Sequence, residues 1–282
     1  MLANLDPQIW SYEIWTLELW EIGVLLGIGI IAGLAGGLLG IGGAVVNIPA
    51  ISLLIGRDIH LAQAAAMNVT FFVALPAAIR HYKEGQLNAR LLKLVVPAAL
   101  LAIIGGVFLS GAISDLWMQR IFGAFLIYVI IVNIIKLLPG RVDYGVGEAR
   151  ITRGRGILLG SIGGGGAGLL GIGGGLLNVP LSQKICRIPL PVAIATSSAI
   201  MCFTSIIGAI TKDATLPMVP IMIDGTETSV PWYEPFKYSI WLIPTCVFGS
   251  WFGAKLTHSL PLKAVRIIFL VVVAAAALKM LW

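Results

Sequence analysis

Long apolar runs separated by short charged segments set the pattern of this chain. They cover about 22–55, 61–79, 94–113, 117–138, 156–182, 189–211, 238–256 and 264–282. Runs of this length with little internal charge predict membrane helices rather than buried helices of a soluble core. Two of them, 22–55 and 156–182, exceed the roughly 20 residues that one crossing needs, and both are interrupted by glycines and a proline.

Those two interruptions are copies of each other. Residues 36–49 read GGLLGIGGAVVNIP and residues 167–180 read AGLLGIGGGLLNVP, at an offset of 171 − 40 = 131. The offset superposes Gly40, Gly42, Gly43, Asn47 and Pro49 on Gly171, Gly173, Gly174, Asn178 and Pro180. Broken helices at membrane depth are tolerated only where protein buries them or water lines them. Paired Gly/Pro-interrupted segments in two halves of a chain point to a transporter's binding site.

Charge in the loops gives a topology. The segments 80–93 and 136–155 are rich in Arg and Lys and belong in the cytoplasm. Lys184 and Arg187, and Lys255, Lys263 and Arg266, belong there too, whereas 212–236 leans acidic and belongs outside. Every loop falls on its preferred side if each Gly-rich region enters, turns and returns as a re-entrant hairpin. A hairpin plus three spans then makes each half, and an odd number of crossings orients the halves oppositely. The expected fold is an all-α polytopic membrane protein of two inverted repeats; the alternative is eight plain transmembrane helices in a parallel repeat. The expected divisions are an interfacial segment at 1–20, a first repeat at 21–140, a cytoplasmic linker at 141–155 and a second repeat at 156–282. The N-terminus is expected outside.

Composition supports the class. Charged residues are only 11% of 282, against roughly 25% in soluble domains. The net charge of +6 fits cytoplasmic loops, and no basic–aromatic run suggests nucleic acid. Cys186, Cys202 and Cys246 have no metal-like spacing. Neither HExxH nor a Ser–His–Asp constellation is present, so neither a metal, a cofactor nor catalysis is expected. The apolar runs contain no Asp or Glu, so coupling is expected to rest on a substrate anion's own gradient and the membrane potential.

The candidate chemistry is anion binding. The N-terminus of a half-helix presents unpaired N–H groups and a favourable dipole to an anion. Gly42, Gly43, Gly173, Gly174 and Gly175 would let the backbone approach it, and Asn47 and Asn178 would donate to it. Thr70, Thr196 and Ser197, on the runs after each break, would complete the shell. Arg80, His81 and Lys212 are the cationic groups at the ends of those runs, with 212 − 81 = 131 again; they would attract the anion or gate its access. Against this stand packing glycines in GxxxG spacings and interfacial snorkelling of Arg80 and His81.

The doubled Gly-rich segment, Ala195-Thr196-Ser197 and the run His81-Tyr82-Lys83-Glu84-Gly85 resemble the TauE/SafE sulfite exporter family over nearly the whole chain. The resemblance implies a multi-pass permease of a bacterial or archaeal inner membrane, moving sulfite, organosulfonates or related sulfur anions. Ala65-Ala66-Met67 stands where the second half has Thr196-Ser197-Ser198, so the two half-sites are unequal. The expected partners are a small anion and the lipid bilayer; a homodimer is compatible with six spans around two hairpins. A passive anion channel built on the same donors is the alternative function.

Overall fold

The computed structural model describes residues 17–39, 42–135, 149–223, 226–256 and 262–282. Most of the expected interfacial segment and of the linker, and with it the side chains of Lys255, Lys263 and Arg266, lie outside what is described. Ten helices carry the described chain: α1 (Leu19–Leu39), α2 (Ala44–Leu54), α3 (Ile59–Lys83), α4 (Ala89–Gly111), α5 (Asp115–Ile135), α6 (Arg153–Leu170), α7 (Gly175–Cys186), α8 (Leu190–Thr215), α9 (Glu234–Leu256) and α10 (Leu262–Leu281). Five of the described helical stretches are long and apolar enough to cross a membrane: Leu19–Gly37, Ile59–Lys83, Ala89–Gly111, Asp115–Ile135 and Leu190–Met218. Large apolar side chains such as Leu101, Phe108, Trp251 and Val271 cover the outside, as a lipid-facing surface requires and a water-facing one would not tolerate.

Both long apolar runs are broken in two, giving α1–α2 and α6–α7. The break follows from local chemistry. Gly171 ends α6 in the left-handed conformation, its N–H donating to the Ala167 carbonyl, and Gly174 opens α7 at φ 92°. Gly43 precedes α2, after Gly42 at φ 73°. Positive φ is strained for any residue with a Cβ. Three long helices start on side-chain caps, Asp58 accepting from the His60 amide, Asn88 from Leu91 and Thr152 from Arg155, while α8 starts after Pro189 without one. Neither α2 nor α7 has one.

Packing is reciprocal between the halves. Helix α4 packs on α6 as α9 packs on α1; α4 meets α8 as α9 meets α3; and α3 pairs with α8, α5 with α10. Helices α3 and α8 run antiparallel. His60 and Gln63 near the start of α3 meet Lys212 near the end of α8, while Asn88, just past α3, meets Thr196 near the start of α8. Small residues allow the closest crossings. Gly156, Gly160, Gly164 and Gly168 form a four-residue stripe on α6, where an added Cβ would strike the Leu94 side chain or the backbone at Val95, Ala99 and Ile103 of α4. Gly249 and Gly253 of α9 likewise lie against the α1 backbone at Ile30 and Leu34.

Two boundaries differ from expectation. Helix α8 continues to Thr215 instead of ending at 211, because Thr211 and Thr215 bond back to carbonyls one turn earlier and their neighbours Lys212 and Asp213 find buried partners. Asp213 therefore lies inside an apolar helix, 6% exposed, which corrects the expectation of runs free of carboxylates. The segment expected as a loop at 212–236 also contains a two-stranded antiparallel hairpin, β1 (Pro220–Ile223) with β2 (Thr226–Ser229), in which Pro220 faces Ser229 and Ile223 faces Thr226.

Candidate functional site

The two glycine corners meet helices α3 and α8 at equivalent places. A methyl group placed on Gly42 would lie 3.5 Å from Met201 Sδ, and one on Gly173 would lie 2.6 Å from the Thr70 methyl and 3.3 Å from Met201 Cγ. Met201, 4% exposed, thus touches both corners. Sequence reading did not single it out, since a methionine in an apolar helix gives no chemical signal. From these corners α2 and α7 depart; the Val46 and Leu177 amides already bond back to the Gly43 and Gly174 carbonyls at 3.0 and 3.1 Å, so only the first amides of each helix lack an intrahelical acceptor.

Both asparagines sit in the first turn of these helices and are buried, Asn47 at 0% and Asn178 at 1% exposure. Asn47 Nδ2 lies 3.7 Å from Cys246 Sγ. Asn178 is packed against Gly163 and Gly174, and neither its Oδ1 nor its Nδ2 has a hydrogen-bond partner in the protein. Ser182 Oγ, one turn on, is unpartnered as well. Buried amides nearly always find partners, so these unpaired groups set the start of α7 apart from most of the buried polar side chains.

The hydroxyls divide. Ser197 Oγ donates to the Gly175 carbonyl at 3.3 Å, and Thr204 Oγ1 to that of Gly173 at 2.9 Å, so α8 braces the second corner through both. Thr70 turns its hydroxyl to the Ala66 carbonyl at 2.7 Å and only its methyl to Gly173. Thr196 accepts from the Asn88 amide at 3.4 Å, beside the α3–α4 connection. Of the hydroxyls expected around the anion, Ser197 is therefore tied to a corner and Thr196 faces elsewhere.

The cationic residues also separate. Arg80 Nε pairs with Glu84 at 2.9 Å, and His81 Nδ1 lies 3.2 Å from Gln86 Oε1, at the last turn of α3. Lys212 lies near the other end of α3, 1% exposed, with Nζ 2.8 Å from Gln63 Oε1, 2.6 Å from Ser110 Oγ and 3.4 Å from His60 Nδ1. It was expected just past the end of its apolar run; the longer α8 encloses it instead. Gln63 Nε2 reaches the Leu169 carbonyl at 3.4 Å, and its Cβ and Cγ pack on Gly171. Nothing in the sequence marks His60 or Ser110 as companions of Gln63. Among the described residues no group of three or more His, Cys, Asp or Glu side chains is arranged to hold a metal ion.

An apolar outer surface, helices of spanning length and a polar interior around two broken helices define a multi-pass membrane protein. The model of the family "Sulfite exporter TauE/SafE" matches residues 25–280, and the chain belongs to that family of membrane transporters. Among curated relatives, the probable membrane transporter protein MamO of Magnetospirillum gryphiswaldense is 25% identical over 93% of this chain, which spans 45% of that relative's length. The probable membrane transporter protein YunE of Bacillus subtilis is 25% identical over 88% of this chain and 93% of its own length. No solved structure matches the chain.

Proposed function

We propose that the protein is a permease for small sulfur-containing anions, such as sulfite or an organosulfonate, that binds its substrate between the two glycine corners. The observation that carries this reading is the uncapped start of α7 beside Asn178, whose amide has neither donor nor acceptor satisfied. A tetrahedral or pyramidal oxyanion would take the free first N–H groups of α7 and the Asn178 Nδ2, with the helix dipole favouring its charge. Gly42, Gly43, Asn47, Gly173, Gly174 and Gly175 form the walls, and Ser197 holds the second corner in place. Arg80 and His81 serve the access path and Lys212 contributes positive potential; Thr70 and Thr196 would join the shell only after a rotamer change.

The same reading makes each half, 21–140 and 156–282, one repeat of opposite orientation, with α1–α2 and α6–α7 as re-entrant hairpins. The antiparallel pairing of the equivalent helices α3 and α8 supports inversion, because equivalent helices of a parallel repeat would point the same way. Alternating access is then rocking of one half against the other around the corners.

Thermal stabilisation of the detergent-purified protein across sulfite, sulfate, thiosulfate, sulfoacetate, taurine, phosphate and acetate tests the assignment, because a ligand of the folded state raises its apparent stability by mass action. A selective shift with one sulfur anion is expected. A shift with acetate or phosphate alone would remove the sulfur assignment.

A further inference from the structure

The two glycine corners share a sequence and differ in their neighbours. Asn47 and Asn178 are equivalent at the offset of 178 − 47 = 131. Cys246 is equivalent to Ala99 at the offset of 246 − 99 = 147, which also aligns Pro97 with Pro244 and Gly106 with Gly253. The packing agrees with both offsets. A Cβ on Gly33 would strike the backbone of Cys246, and one on its equivalent Gly164 would strike the backbone of Ala99.

Within these matching frames the asparagines find different partners. Asn47 Nδ2 lies 3.7 Å from Cys246 Sγ, and the thiol lies 4.0 Å from Asn47 Oδ1. Ala99, 0% exposed, ends at its methyl, and Asn178 has no hydrogen-bond partner in the protein. The Asn178 side chain lies instead against α6, where its Oδ1 fills the place that a Cβ on Gly163 would take. The equivalent of Gly163 is Ala32, since 163 − 32 = 131. With a methyl already in that place, Asn47 turns to the thiol. Two neighbours therefore change together: Ala32 and Cys246 fix Asn47, whereas Gly163 and Ala99 leave Asn178 room and no partner.

Other polar groups follow the same division. Ser182 Oγ, one turn beyond Asn178, is buried and unpartnered, and Ser197 and Thr204 bond to the carbonyls of Gly175 and Gly173. The first-half equivalents of these three residues, Ile51, Ala66 and Val73, are apolar and buried. The first corner instead meets the Met201 thioether at Gly42.

We propose that the second corner is the anion-binding corner of the chain, that the first is a closed structural wall, and that Ala99 and Gly163 set this difference by leaving the Asn178 amide free for the ligand. Each chain then binds one oxyanion, whose oxygens accept from Asn178 Nδ2 and from the first amides of α7. Cys246 holds the Asn47 amide and stays outside the binding site. The inference rests on the anion-site reading of the corners and narrows it to one of them.

The double substitution Gly163→Ala with Ala99→Cys gives Asn178 the two neighbours that Asn47 has. Without anion and under reducing conditions, Ala99→Cys raises the melting temperature more in the Gly163→Ala background than in the native one, because there the amide is turned away from α6 toward the new thiol. Equal shifts overturn the proposal whatever the substrate. Equilibrium dialysis of the detergent-purified protein against radiolabelled sulfite gives one bound anion per native chain and unchanged binding in Cys246→Ala. The double variant binds about tenfold more weakly or worse, the scale of one lost hydrogen bond to a charged group. Two sulfites per native chain, or loss of binding in Cys246→Ala with retention in the double variant, overturn the proposal. Thermal coupling without sulfite binding by the native protein supports the difference between the corners and counts against the sulfur assignment. If the double variant is not monodisperse, Ala99→Cys alone is compared with Cys246→Ala, with weaker sulfite binding expected in the first only.

Discussion

Thr70 and Met201 occupy the same position of the two halves, 201 − 70 = 131, and each lies against the glycine corner of the opposite half. Gly42 faces Met201, and its equivalent Gly173 faces Thr70. The corner of one half is therefore closed by the third helix of the other. Any movement of one half relative to the other changes both corners together, which links the packing to the proposed transport cycle. The contacts differ in chemistry, a thioether on one side and a methyl on the other, so the two corners are not equal binding surfaces.

Asn178→Ala separates binding from stability. The native amide is buried with both polar ends unpaired, so its removal relieves a desolvation cost of about 1–3 kcal/mol while leaving a small cavity. The variant is expected to melt at or above the native temperature in the absence of ligand, and to lose anion-induced stabilisation. Scanning calorimetry with and without the stabilising anion measures both; retained stabilisation would remove Asn178 from the site.

The glycine stripe of α6 predicts a paired result. A Cβ at Gly164 would strike the Ala99 backbone, whereas one at Gly165 would meet only the Ala102 carbonyl at 3.9 Å. Gly164→Ala should cost about 1–3 kcal/mol by overpacking, and Gly165→Ala should be neutral or slightly stabilising. Thermal denaturation of the two variants in one detergent distinguishes them.

Asp58 gives a pH dependence. Burial first, and then the neighbouring Asp115 carboxylate, push its carboxyl from 3.8 up to about 7. The folded protein thus holds this proton more tightly than the unfolded chain. The contribution to stability is complete below the unfolded value near pH 4, declines as pH rises, and is gone above about pH 7. Asp58→Asn keeps a side-chain cap on α3 and should flatten stability across that window. An unchanged profile in chemical denaturation would show that Asp58 is not the group responsible.

Much of the frame was legible from sequence because membrane helices announce themselves by length and the repeat by its spacing. The breaks at Gly42–Gly43 and Gly171–Gly174 were visible because glycines with Pro49 and Pro180 behind them interrupt an otherwise helical run. The end of α8 was misjudged because Lys212 and Asp213 look like loop residues until their partners are known. Those partners, His60, Gln63, Ser110 and Asn68, come from α3 and α4, between 102 and 152 residues away in the chain. Such a cluster depends on tertiary packing, and no local pattern records it. The role of Met201 was hidden for the same reason, whereas Asn47 and Asn178 stood out because they are polar, doubled and next to a break.

Counterflow in proteoliposomes tests the central claim most directly. Vesicles loaded with unlabelled sulfite and diluted into a trace of radiolabelled sulfite should accumulate label transiently, faster than vesicles loaded with chloride, with saturation as outside sulfite rises and loss of the effect in Asn178→Ala. Uptake that neither saturates nor responds to internal sulfite would describe a channel. No sulfite uptake, with counterflow of a sulfur-free anion instead, would contradict the sulfur-anion assignment.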